Sequence, residues 1–259
     1  MARTDTTAVG IGVAFAIATL LAHSSSGGQQ AQTSPAEKAA GWRPLFDGKT
    51  TTGWRGFKKA TFPDHGWVVQ DGCMKHLATN GQDSRGAGDI VTTDAFDNFD
   101  LEFEWRIAPG GNSGVKYLVS ESRSGPIAHE YQVADDDRHP DAKIGPHRAT
   151  GSLYDVIPAP PDKPLHPAGE LNRGRILLDG LHVEHWLNGV KIVQYELGSD
   201  ALKALKAKSK FRDEPGWENK IKGPILLQDH GDEVCFRNIR IRELKPPSSD
   251  YPLQRAGER

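Results

Sequence analysis

From Leu101 to Ile107 the chain reads Leu-Glu-Phe-Glu-Trp-Arg-Ile, apolar at every odd position and charged at every even one. An extended strand, whose side chains emerge on alternate faces, converts that order into one apolar and one charged surface; a helix would scatter it. Period-two or short apolar runs bounded by Gly, Pro, Asn or Asp predict further strands over 67–70, 114–120, 129–134, 151–156, 174–179, 182–187, 190–195, 224–229 and 234–243. Asn188-Gly189, between two such runs, predicts a type I′ hairpin. One helix is expected, Ala201–Lys206, with Ser199 or Asp200 as its cap. With 28 Gly and 17 Pro for turns and 6 Trp and 9 Phe for a core, the pattern implies an all-β fold. Its two antiparallel sheets would pack as a jelly-roll β-sandwich with one short helix.

The ends read differently. Residues 8–22 are uncharged and apolar, follow Arg3 and give way at once to a polar stretch, the layout of a signal peptide over 1–23. The run is shorter than the roughly 20 residues that span a bilayer, so no stable membrane insertion is expected after cleavage. Residues 24–40, small and polar, read as a linker, and 246–259, which open on Pro246 and Pro247, as a flexible tail. One domain over 41–245 remains, and its expected location is periplasmic or secreted. There the two cysteines, Cys73 and Cys235, are either a disulfide or two buried thiols. A net charge of −2 with scattered Lys and Arg gives no basic stripe for a phosphate backbone, so nucleic acid is set aside as a partner.

Alternation also shows what each strand presents opposite its apolar side chains. These polar faces carry Glu102, Glu104 and Arg106; Lys116; Glu130 and Gln132; Ser152 and Tyr154; and Gln228 with His230. On one curved sheet they would line a groove with acids, a base, amides and a phenol, suited to a polyhydroxylated small saccharide or glycoside. A solvated outer face is the plainer account of Glu102, Glu104 and Arg106. Asn112, in the tight Gly-Gly-Asn-Ser-Gly loop, places an amide at the start of a strand. Glu130, Gln132 and Ala134 offer no second acid on their own strand, which removes support for a strand-borne double displacement, though another strand can supply the partner. Asp135-Asp136-Asp137-Arg138-His139 lacks the spaced ligands of a calcium loop, and His147, His166, His182 and His185 show no zinc spacing. No metal ligand is assigned from spacing, and a divalent cation held by acids and histidines of separate strands stays open.

Together, several segments resemble the 3-keto-disaccharide hydrolase domain family. They are Leu45-Phe46-Asp47-Gly48-Lys49 with Gly53-Trp54, Trp67 through Gly72, Phe99 through Ile107, Gly111-Asn112-Ser113-Gly114-Val115 and Glu130-Tyr131-Gln132-Val133. The rest are Thr150 through Tyr154, His185 through Gly189, Gly223 through Gly231 and Phe236 through Ile241. The resemblance implies a concanavalin-like fold and cleavage of glycosides already oxidised at C3. A ketone at C3 acidifies the C2 proton, so a base can remove it and expel the C1 substituent without a carboxylate nucleophile. It further implies His230 or Glu130 as base with the other as acid or orienting partner, and Lys116 or Tyr154 as the stabiliser of the enolate oxygen. Glu104, Asn112, Gln132 and Gln228 are the expected substrate-binding groups, with Trp186 stacking on a sugar face. The alternatives are a non-catalytic carbohydrate-binding module and a conventional glycosidase, because a fold alone does not set an activity.

Overall fold

The protein is described by a computed structural model over residues 34–79 and 87–245. The expected signal peptide, most of the expected linker and the expected tail lie outside the described residues. The first strands are β1 (Trp42–Pro44), β2 (Trp54–Gly56), β3 (Trp67–Gln70), β4 (Cys73–His76), β5 (Ile90–Thr92), β6 (Phe99–Ile107), β7 (Asn112–Tyr117) and β8 (His129–Ala134). There follow β9 (Asn172–Asp179), β10 (His182–Leu187), β11 (Val190–Glu196), β12 (Leu226–Leu227) and β13 (Val234–Glu243). They form two antiparallel sheets. The larger runs β11-β10-β9-β6-β13-β4-β3, with β1 also on β13, and the smaller runs β2-β5-β12-β7-β8. This is the all-β, jelly-roll type of sandwich that the alternation predicts.

The apolar side of β6 explains how the sheets adhere. Phe99, Leu101, Phe103, Trp105 and Ile107 are each at most 1% exposed and face Val115, Tyr117, Tyr131, Val133 and Leu227 of the smaller sheet within one continuous core. A Cβ at Gly174 would lie 2.4 Å from the Phe103 ring, so the glycine lets that ring cross β9. The core is not wholly apolar. Tyr117 Oη contacts both His185 Nε2 (2.7 Å) and Tyr195 Oη (2.6 Å), and Tyr195 Oη contacts His129 Nδ1 (2.6 Å). Each imidazole ends on a backbone carbonyl, of Gly151 or Trp217, so both nitrogens of these two rings have a partner. Burial pushes His129 down to about 3 and His185 down to about 4, which keeps both rings neutral.

The charged side of β6 is satisfied across its neighbours. Arg175 and Arg242 flank Asp100 at 2.6 and 2.8 Å, Arg173 and Arg240 each reach Glu102 at 2.6 Å, and Arg237 reaches Glu104 at 2.8 Å. The solvated-face account therefore fits this strand, with the carboxylates tied into a cross-strand lattice.

Several elements differ from expectation. The stretch 151–156 is a turn, because Gly151 and Asp155 take left-handed φ of 80° and 63° that a strand cannot hold. The 224–229 run keeps only Leu226–Leu227 as strand. Strands β1, β2, β4 and β5 are three or four residues each, too short to show a period. Within the expected linker, α1 (Pro35–Ala39) forms behind a Ser34–Glu37 capping box, and Glu37 pairs with Arg240. The predicted helix is α2 (Asp200–Lys206), capped by Ser199. Asn188 and Gly189 both have positive φ, as a type I′ hairpin requires.

Cys73 of β4 and Cys235 of β13 form a disulfide across 162 residues of sequence, which decides between the two readings of the cysteines. In the chain-entropy picture such a closure contributes about 5 kcal/mol. Reducing it, or replacing both cysteines by alanine, is expected to lower unfolding free energy in urea by about 3–5 kcal/mol. An unchanged urea transition would show that the cross-link does not restrict the unfolded chain.

Candidate functional site

Lys116 of β7 and Glu130 of β8 stand directly opposite each other in register, so both side chains leave the sheet face turned away from the core. Leu226 opposes Lys116, and Val91 opposes Leu226, which extends that face across β12 and β5. Steps of two residues then place Asn112, Gly114, Gln132, Gln228 and Asp89 on the same surface. The outer face of the smaller sheet is the one on which a polar site can assemble.

Glu130 and Lys116 are 4% and 7% exposed, with Nζ 3.4 Å from Oε2. Ions this deep need further partners. Lys116 also donates to the Pro126 carbonyl, and the Gln132 amide, turned to satisfy both its ends, donates to Glu130 Oε1 at 3.2 Å and to the Ser113 carbonyl. The Glu130 carboxylate lies across Gly114, where a Cβ would stand 2.4 Å from Oε1. Gly114 therefore holds open the space that the acid occupies.

The turn after β8 supplies one wall. Tyr154 donates its backbone N–H to the Glu130 carbonyl and its hydroxyl to Asp141 Oδ2 at 2.6 Å. Arg148 bridges Asp141 and Asp155 at 2.6 Å each and fixes both acids. The Lys210 ammonium lies 4.1 Å from the Tyr154 ring centre. Burial lowers the Lys210 pKa, helped by Lys116 and Arg148 nearby and opposed by Glu130. Burial likewise raises Tyr154, reinforced by Asp141. The Tyr154 hydroxyl hydrogen is thus committed to Asp141, beside the ammonium groups of Lys116 and Lys210.

The opposite wall is acidic. Asp89 precedes β5 and accepts from the Asp229 N–H at 2.9 Å. Burial pushes its pKa up to about 6, with Glu130 and Asp229 adding to the rise and Lys116 opposing it. Asp229 in turn accepts from Gly88 N–H and lies 3.0 Å from His76 Nε2. At the rim, His230 is exposed, its Nδ1 3.8 Å from Asp232 Oδ2, and its ring packs against that of His139. Among the described residues, His139, His230 and Asp232 are a group whose metal-ligating atoms lie within 4.8 Å of one another.

Of the residues singled out in the sequence, Glu130, Lys116, Gln132, Asn112, Gln228 and Tyr154 come together, with His230 at the edge. Gln228 keeps a buried Oε1 without a partner, a free acceptor at this surface. Glu104 and Trp186 do not join them. Both lie on the outer face of the larger sheet, Glu104 paired with Arg237 and Trp186 donating to Glu184 under Arg175. The condition that one sheet carry all the polar faces is not met: β6 and β10 belong to one sheet, β7, β8 and β12 to the other. Asp89 and Lys210 are additions. The first adjoins a three-residue strand, and the second reaches the site from the loop after α2 by a backbone bond to Asp155, so neither leaves a periodic trace.

Residues 41–242 match the family described as the 3-keto-alpha-glucoside-1,2-lyase-like domain. A protein named 3-keto-disaccharide hydrolase from Bacteroides thetaiotaomicron is 41% identical over 234 residues, covering 80% of this chain and 79% of that one. A crystallised Parabacteroides distasonis protein, described as a candidate glycosyl hydrolase, superposes with a TM-score of 0.74 at 32% identity over 84% of this chain and all of that one. A second from the same organism gives 0.61 at 28% identity, over 78% of this chain and 99% of that one. The relationship makes this chain a carbohydrate-active enzyme of the hydrolase or lyase kind.

Replacing Gly114 by alanine should displace the Glu130 carboxylate while leaving the sandwich folded. A misplacement of about 1 Å can cost on the order of 100-fold in turnover. Circular dichroism unchanged beside a loss of that size is the expected result, and full activity in Gly114→Ala would show that the carboxylate position does not matter.

Proposed function

Because the chain belongs to the 3-keto-alpha-glucoside-1,2-lyase-like family, we propose that it cleaves the glycosidic bond of 3-keto-glycosides and 3-keto-disaccharides. The observation that carries this reading is the buried Glu130 carboxylate, held against Lys116 on a groove that also presents amides and a second, raised-pKa acid. Glu130 takes the C2 proton. The charge that develops on the C3 oxygen is met by Lys116 and Lys210 in a site of low dielectric, where such contacts count most. The C1–O bond breaks as the C1–C2 double bond forms, and the departing oxygen takes its proton from Asp89. Water adding at C1, with a proton returned to C2, completes a net hydrolysis. Asn112, Gln132 and the free Gln228 Oε1 hold hydroxyls of the sugar.

Export to a periplasmic or extracellular, oxidising compartment belongs to the same reading and is supported by the Cys73–Cys235 disulfide. Its elements are the 8–22 run as signal and a soluble saccharide as substrate.

Incubation of the mature protein with 3-keto-trehalose should release free glucose. Glu130→Gln should lower that turnover by about 10²–10⁴-fold and leave substrate binding largely in place. Binding of ordinary glycans with no release from any 3-keto substrate would turn the assignment to a carbohydrate-binding module.

Asp89 gives the reaction a pH signature. Its proton is present below about 6 and lost above it, so kcat should fall as pH rises through that value. Asp89→Asn should remove this limb along with about 100-fold of the rate. A limb that persists in Asp89→Asn belongs to another group.

A further inference from the structure

We propose that His139, His230 and Asp232 form a binding site for one first-row divalent metal ion, such as Zn²⁺ or Mn²⁺, at the rim of the Glu130 groove. His139 comes from the acidic loop after β8, and His230 and Asp232 from the loop between β12 and β13, so the group exists only in the folded sandwich. Their ligand atoms lie within 4.8 Å of one another. His230 Nδ1 and Asp232 Oδ2 are 3.8 Å apart, too far for a hydrogen bond and somewhat wider than the roughly 3.4 Å between two atoms that share a tetrahedral ion at about 2.1 Å from each. The 4.8 Å spread is wider than a loaded site, so binding draws the three side chains inward.

The surroundings suit a cation. Asp232 Oδ2 accepts the Asn112 backbone N–H at 2.9 Å, the kind of anchoring that orients a ligating carboxylate. Asp135, Asp141 and Glu130 lie near enough to act electrostatically on the two rings. His139 Nδ1 accepts a long 3.2 Å contact from the Asp141 N–H, which the ring gives up or turns away from on binding. Two imidazoles and one carboxylate favour a first-row transition ion over Ca²⁺ or Mg²⁺, and three protein ligands leave positions open to a substrate oxygen. The Asn112 bond ties this group to β7, the strand that carries Lys116. On the reading that the substrate is a 3-keto-glycoside, the ion polarises a sugar oxygen and makes the C2 proton easier to remove.

The test is calorimetric titration of the EDTA-treated, dialysed protein with Zn²⁺ in the absence of any sugar, repeated with Co²⁺ and its visible absorption. One ion per chain is expected, with affinity reduced at least 100-fold in each of His139→Ala, His230→Ala and Asp232→Asn and unchanged in His65→Ala, whose ring is exposed elsewhere. Circular dichroism of each variant separates lost binding from lost fold, and the exposed His230 is the substitution the fold tolerates best. No stoichiometric binding, or binding unaltered in folded His230→Ala, overturns the proposal. Since no substrate is present, that failure is distinct from a failure of the 3-keto reading, which is judged by sugar release from the protein assayed both with and without added Zn²⁺.

Discussion

Antiparallel register ties the two faces of each sheet together. Once Phe103 and Tyr131 turn inward to make the core, Glu102 and Glu104 must turn outward on one side of the molecule and Glu130 and Gln132 on the other. The same alternation therefore produces two polar surfaces with different fates. On the larger sheet, arginines from both neighbouring strands neutralise the acids of β6. On the smaller sheet, one lysine and one glutamate face each other with a glycine between strands to give the acid room, and the surplus of hydrogen-bonding groups stays available. Burial raises the pKa of Asp89 beside this pair.

The strands that carry long alternating or apolar runs are legible without coordinates because burial on one face requires that pattern. Phe99–Ile107, Asn172–Asp179 and Val234–Glu243 are of this kind. The three-residue strands β1, β2 and β5 are held by pairing with segments distant in sequence, a tertiary cause that leaves no local period. Tyr154 shows the opposite failure: Ser-Leu-Tyr-Asp-Val alternates like a strand, yet the positive φ at Gly151 and Asp155 bends it over Glu130.

The site was readable strand by strand but not as an assembly. Lys116, Glu130 and Gln132 follow from alternation together with the recognised motifs, because hydrogen-bonded neighbours share a face. Which strands share a sheet is set by pairing between segments over a hundred residues apart, and there Glu104 and Trp186 part from Glu130. The rim group needs two loops to meet, and Lys210 needs Asp155 to hold its backbone. Contacts of that sort depend on loop paths that no periodicity records.

Strand β13 bonds to β6 along one edge and to β4 and β1 along the other, so the centre of the larger sheet is filled by residues 234–243. Until those residues leave the ribosome, β6 and β4 have nothing to join them and the apolar side of β6 has no finished sheet around it. The larger sheet is then completed by the last of its described strands rather than built up from the N-terminus.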